Sequence, residues 1–248
     1  MDFSKQFDYI DTHCHLDLYK NYTEVIAQSK MSNTSIVAVT NLPTVFEREC
    51  KLFKNYSNVI VALGFHPQLV KSHGDQVSQM LNFMSKTQFI GEIGLDYQEN
   101  NDDLKTKQKY IFQQILDSAA TYRTKILSVH SRKSSEDVVA MIGPNFPGNI
   151  ILHWYSGSQP TLKKALSNGY LFSVNPAMTF SASGRSIING LPLEKILTET
   201  DGPFTEVNNK QSIPSDVNLV LDYLAKLHNQ TTQDIKEIIK NNFLNILN

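Results

Sequence analysis

The chain has 248 residues, 41% of them hydrophobic and 19% charged, a length that suits one large domain with a sizeable core and is common for an α/β barrel. Its formal net charge of −1 gives no sign of a globally basic nucleic-acid binder, but a nuclease needs basic groups only around one cleft, so near-neutrality excludes little. No apolar run is long enough to span a bilayer, the N-terminus shows no signal-peptide pattern, and two cysteines, Cys14 and Cys50, make no disulfide framework, so a cytoplasmic protein is expected.

Short β-rich runs recur along the chain with helical patterns between them. In order they are Tyr9–His13, Ile36–Thr40, Val59–Gly64, Phe89–Leu95, Ile126–His130, Ile150–Trp154, Leu171–Val174 and Ile196–Thr200. Asp103–Tyr122 and Pro160–Asn168 carry helix-type spacing of apolar residues. Ser215–Leu227 and Thr231–Leu247 read as two closing amphipathic helices, the second capped by Thr231 or Thr232. Alternating strand and helix implies a parallel sheet with crossover helices. Eight such units predict a single (β/α)8 barrel domain over residues 1–248. The rival is an open doubly wound sheet, but no Gly-x-Gly-x-x-Gly follows the first strand.

The chemistry lies at the strand ends. Side chains alternate along a strand, so His13 and His15 point one way and Cys14 the other, as a packed core thiol. His66 follows strand 3, His130 ends strand 5 and His153 lies on strand 6. Glu92 sits within strand 4 and Asp201 just after strand 8. His73 and His228 fall elsewhere and read as surface residues. Each residue also has a plain reading: a surface pair, a strand terminator, a hydrogen-bonded core histidine, a loop cap. In a barrel, however, these positions converge on the C-terminal mouth, where Val, Ile and Leu are the ordinary core residues. Gathering so many imidazoles and carboxylates there is costly unless something satisfies them, and a divalent metal does. The glycines flanking Glu92 are expected to leave room for the ion. One catalytic zinc needs about three protein ligands. His13, His15, Glu92, His130, His153 and Asp201 are too many for one ion and suit two ions sharing a bridging carboxylate, an arrangement that hydrolyses phosphate esters. No Gly-x-Ser-x-Gly elbow competes.

In these motifs the chain resembles the TatD-type metal-dependent deoxyribonucleases of the amidohydrolase-like barrel superfamily. They are Asp11-Thr12-His13-Cys14-His15-Leu16-Asp17, Gly64-Phe65-His66-Pro67, Gly91-Glu92-Ile93-Gly94-Leu95-Asp96-Tyr97, Val129-His130-Ser131-Arg132, His153-Trp154-Tyr155-Ser156-Gly157 and Glu199-Thr200-Asp201-Gly202-Pro203, with Asn241-Asn242-Phe243 near the end. The resemblance implies that His13, His15 and Asp201 bind one metal, that His130 and His153 bind the second, and that Glu92 bridges. It also implies that His66 contacts phosphate. Arg132 is a candidate for holding a phosphate oxygen, a surface ion pair being its plain reading. Asp96 lies four residues past Glu92, ~13 Å along an extended strand, so it is expected in loop structure or behind the ligands. Two departures stand out. Trp154-Tyr155 replaces the family's usual Cys-Phe; alternation turns Trp154 away from His153, toward packing under a helix rather than stacking on a base. The loop Thr205–Pro214 lacks the Arg-rich stretch of many members, leaving Lys210, with Arg185 as a possible replacement cation.

The function expected is a deoxyribonuclease using two divalent ions (zinc, manganese or magnesium) and activated water, working from single-stranded or frayed ends. Glu92, Asp201 and His66 are its catalytic candidates; Arg132 and His66 are its substrate-binding candidates. The partner expected is DNA, with no membrane. Divergent members of this kind occur in bacterial anti-phage gene clusters, which makes a defence role conceivable. The alternatives are a hydrolase of a small phosphate ester, amide or lactone, and a non-enzymatic subunit, which the intact ligand set argues against.

Overall fold

A computed structural model describes residues 7–247, so the N-terminal residues of the signal-peptide reading lie largely outside it. All eight expected runs are strands: β1 (Tyr9–Cys14), β2 (Thr34–Val39), β3 (Val59–Ala62), β4 (Phe89–Gly94), β5 (Ile126–His130), β6 (Asn149–His153), β7 (Leu171–Val174) and β8 (Ile196–Thr198). Their ends differ from expectation by two residues at most. The expected helices are Asp102–Ala120, Gln159–Ser167, Val217–His228 and Thr232–Leu247. Side chains cap them where their backbone N–H groups need partners. Asn101 accepts from Leu104 N at 3.0 Å, and Thr231 Oγ1 accepts from Asp234 N at 3.1 Å. A hairpin, β9 (Glu206–Val207) and β10 (Lys210–Gln211), occupies the stretch expected to be plain loop. Its two turn residues, Asn208 and Asn209, have φ of 52° and 61°, the left-handed pair that a tight hairpin needs and asparagine tolerates.

The chain divides into two compact units whose segments interleave in sequence. The first comprises the chain through Ala38, Asn55–Ile60 and Phe172 onward. In it β1 runs parallel to β2, with Tyr9 opposite Thr34, and β7 runs parallel to β8, with Val174 opposite Thr198. Threonines join β8 to β1: Thr12 Oγ1 donates to Thr198 O at 2.9 Å, and Thr198 Oγ1 donates to Ile10 O. The two C-terminal helices lay Val217, Val220, Leu221, Leu224, Ile235, Ile239, Phe243 and Ile246 into the core, at the three-and-four spacing of one helix face. Asn242 on the last helix donates to Leu193 O at 2.7 Å and to Ile196 O at 2.8 Å, pinning that helix to the start of β8.

The second unit comprises Val39–Lys54 and Val61–Leu171. Here β4, β5 and β6 are parallel neighbours. The residues after β3 extend this sheet: Leu63 N donates to Phe89 O, and Phe65 N donates to Glu92 O at 2.9 Å. These strands are buried along nearly their whole length, as strands covered on both faces require. Among the described residues, no helix is long and apolar enough to cross a membrane.

Candidate functional site

In the first unit, β1 and the segment after β8 bring three donors together. His13, His15 and Asp201 are all buried, and one ligand atom from each falls within 4.8 Å of the others. His13 Nε2 lies 3.7 Å from Asp201 Oδ1, and His15 Nε2 lies 3.5 Å from it. These separations are too long for good hydrogen bonds. They suit a shared cation: two donors ~2.1 Å from one ion at a tetrahedral angle lie ~3.4 Å apart. Main-chain bonds hold the arrangement, since Asp201 N donates to His13 O at 2.9 Å and His15 N donates to Gly202 O at 2.8 Å. Asp201 has φ 51°, a left-handed conformation that aspartate adopts more readily than most residues.

Asp11 supports this cluster, a role the sequence reading did not assign. It is fully buried and accepts from His13 N at 3.1 Å, from Thr200 N at 3.0 Å and from the Thr200 hydroxyl. Burial pushes its carboxyl well above the usual range, against the lowering effect of those hydrogen bonds. The signal in the sequence was proximity: Asp11 stands two residues before His13 and accepts from its main-chain N–H. Cys14 faces the other way, buried with its thiol toward Gly202 O at 3.6 Å. Burial raises its pKa well above the ordinary value, as for the core thiol expected.

In the second unit, Glu92 is the hub. Its Oε1 lies 3.4 Å from His66 Nε2, 3.3 Å from His153 Nε2 and 2.6 Å from His130 Nδ1. The separation from His153 again matches donors sharing an ion, and the contact with His130 is a hydrogen bond. His66, Glu92 and His130 each bring a ligand atom within 4.8 Å of the others, so the structure places His66 among the metal-competent donors. The other ring nitrogen of His66 accepts from Gln68 N at 3.2 Å, which puts the proton of the neutral ring on Nε2.

His130 is held on both sides. Its Nε2 bonds Asp96 Oδ2 at 2.9 Å while Nδ1 bonds Glu92. Burial lowers its pKa, but the Glu92 charge and the two carboxylate hydrogen bonds outweigh that and raise it. Asp96 also accepts from Gln68 Nε2 at 2.8 Å and from Gln98 N at 2.7 Å. Burial raises its pKa; the bonds from His130 and Gln98 outweigh burial and bring it below the usual value. Asp96 reaches His130 because the chain leaves its extended course at Gly94, where φ is 133°.

The glycines near Glu92 serve a different purpose from the one expected. A Cβ on Gly94 would lie 2.1 Å from His130 O, and one on Gly91 would lie 2.8 Å from Ser128 Cβ. The space is filled by β5, and glycine lets the two strands approach. Trp154 also departs from expectation. With φ 37° it breaks the strand alternation and is half-buried, while Tyr155 takes the packed position at 1% exposure. Arg132, Lys133, Arg185 and Lys210 are exposed, and His73 and His228 are half-buried.

The family model for TatD-related DNases matches residues 10–248. An uncharacterized metal-dependent hydrolase of Methanocaldococcus jannaschii is 29% identical over 242 residues, covering 94% of each chain. A human protein named a deoxyribonuclease is 25% identical over 260 residues, covering 96% of this chain and 93% of its own. The crystal structure of the Escherichia coli TatD homologue YjjV aligns over 97% of each chain with a TM-score of 0.86 at 25% identity. With this likeness and eight strand–helix units in order, the fold class is the (β/α)8 barrel expected from the sequence. The chain belongs to the TatD-related DNase family of metal-dependent hydrolases.

Proposed function

We propose that this chain is a two-metal deoxyribonuclease, one hydrolase domain over residues 1–248 that cleaves DNA phosphodiesters from single-stranded or frayed ends. The observation that supports it most is the donor spacing: imidazole and carboxylate atoms of His13, His15, His153, Glu92 and Asp201 lie 3.3–3.7 Å apart, too far to bond one another well and correctly spaced to share a cation. His13, His15 and Asp201 would hold one ion. His130 and His153 would hold the other, with Glu92 bridging on the family pattern. Mixed imidazole and carboxylate donors suit zinc or manganese, with magnesium bound more weakly. Such a pair of ions would lower the pKa of the attacking water and stabilise both the entering and leaving oxygens of the ester.

The protein's own groups do the rest. Asp201 orients the attacking water and accepts its proton. His66, with its proton on Nε2, donates to a phosphate oxygen where negative charge grows. Asp96 fixes the ring of His130 through Nε2, so that Nδ1 would be the nitrogen available to hold an ion. Arg132 is exposed and able to take phosphate oxygens in a two-bond grip. The name of the human relative supports DNA as substrate. The test is purified protein of measured metal content, incubated with end-labelled single- and double-stranded DNA and RNA, with and without chelator. DNA should shorten from an end, single strands fastest, and chelation should stop it. If small amides or lactones are hydrolysed while every DNA survives across several metals, the small-substrate reading replaces this one.

A further inference from the structure

We propose that Phe204 and Phe180 form an aromatic platform for unpaired nucleobases beside the His13–His15–Asp201 cluster, an inference that rests on the deoxyribonuclease reading above. Both are large apolar side chains left in water, Phe204 at 59% exposure and Phe180 at 65%. Scattered exposed apolar residues need no explanation, but grouped ones do. These are grouped by the backbone. Phe204 N donates to Asp201 O at 2.9 Å, and the phenyl ring meets His15 edge-on, with centroids 5.1 Å apart. Leu18, 42% exposed, flanks the same histidine, its N–H bonded to His15 O at 3.1 Å. Phe180 ends the short helix Pro176–Phe180 that follows β7, the parallel neighbour of β8. That helix packs against β9, which begins two residues after Phe204. Arg185 donates from Nη1 to Thr179 O at 3.4 Å, which sets a cation beside Phe180.

The chemistry of this rim differs from that of the cluster it borders. A phosphodiester needs cations and N–H donors, and a phenyl ring offers neither. The face of a nucleobase is what an exposed phenyl ring binds well, whatever the base. Aromatic faces interleaved with cations are the footprint of single-stranded nucleic-acid sites. Bases in a duplex are stacked on one another and cannot use the platform, so it selects frayed or single-stranded ends. Covering His15 would not require the arrangement: the edge contact uses one side of the Phe204 ring and leaves most of it in solvent.

The test uses metal-loaded protein and a phosphorothioate-linked DNA single strand, which resists cleavage, carrying 2-aminopurine at its terminal nucleotide. Stacking quenches that fluorophore. Wild type should quench it on binding. Phe204→Ala should weaken binding about 5- to 100-fold and abolish the quench, and Phe204→Trp should restore both. Phe180→Ala should weaken binding less. Tyr110→Ala, which removes an aromatic 67% exposed on the helix Asp102–Ala120, should bind as wild type does. Equal affinity and equal quenching in wild type and Phe204→Ala overturn the platform, as does a wild type that binds the strand without quenching. The nuclease reading fails by a separate result, an ordinary phosphodiester strand left intact by the metal-loaded wild type.

Discussion

Asp96→Asn tests whether the carboxylate behind His130 sets the metal affinity of the second unit. Asp96 has three partners, and every one is a donor: His130 Nε2 at 2.9 Å, Gln68 Nε2 at 2.8 Å and Gln98 N at 2.7 Å. A carboxylate accepts from all three. An asparagine amide has one oxygen and one NH2 group, so in either orientation its NH2 faces at least one donor. The variant therefore loses the negative charge on His130 and at least one buried hydrogen bond while keeping nearly the same volume. Losing the carboxylate behind a ligating histidine costs metal affinity about 10- to 100-fold, or about 1.4–2.7 kcal/mol. That range agrees with the ~1.5–3 kcal/mol of one charge-assisted hydrogen bond.

The pH dependence sharpens the test. In the metal-free protein the carboxylates raise the pKa of His130 above its ordinary 6.5, though burial opposes them. The stability this confers is complete below about pH 6.5 and is lost as pH rises through the higher folded value. A metal must displace that proton, so affinity rises with pH across the same interval. Without the charge of Asp96 the proton is held less tightly. The affinity gap between wild type and variant should therefore be widest at pH above the raised folded value of His130 and should narrow below about pH 6.5. Calorimetric titration of Mn2+ or Zn2+ into metal-free protein at several pH values reads both effects. Affinity within twofold of wild type throughout would refute the role given to Asp96.

Glu92→Gln keeps the shape of the hub but removes its charge, so the fold should survive while turnover falls at least ~100-fold and metal stoichiometry drops; near-normal activity with full metal content would remove Glu92 as the bridge. His66→Ala should lower kcat about 100- to 1000-fold with both metals retained, as for loss of a donor to the charged transition state; loss of metal instead would make His66 a ligand. Asn242→Ala leaves two backbone carbonyls at the start of β8 without their donor, which should cost about 2–3 kcal/mol and lower Tm by about 4–10 °C; an unchanged melting curve would show that the helix needs no such pin.

The strands were legible because burial on both faces writes them as apolar β-branched runs, and the donors were legible because charged and imidazole groups interrupt those runs at one end. What escaped the reading was local backbone conformation. Distance from Glu92 along an extended strand left Asp96 in loop structure or behind the ligands without choosing between them; it lies behind His130, because the positive φ of Gly94 turns the chain back. An isolated glycine within a strand pattern is the cue for such a turn. Trp154 was misplaced for the same reason, since alternation holds only while φ and ψ stay extended and its φ is 37°. Asn208-Asn209 carried a hairpin signal that composition alone reads as loop.

These departures occur where the strands give way to the site. A ligand on a strand is aimed by the period of two, and His13 and His15 could be paired from sequence for that reason. A residue that supports a ligand must come back toward it from another direction, so the chain has to leave the strand first. Asp96 does so after Gly94; Asp201, itself a proposed ligand, also leaves the strand, in the left-handed region with its N–H returned to His13 O. Asp11 is the exception that shows the cause. It supports His13 from within β1 itself, through the His13 main-chain N–H two residues on, and so needs no turn to reach it. The proposed ligands His13, Glu92, His130 and His153 follow the regular geometry of the strands, while Asp201 and the orienting Asp96 depend on irregular turns. A substitution at Gly94, whose added Cβ would meet His130 O at 2.1 Å, should therefore disturb the β4–β5 pairing and the placement of His130 and Asp96 together.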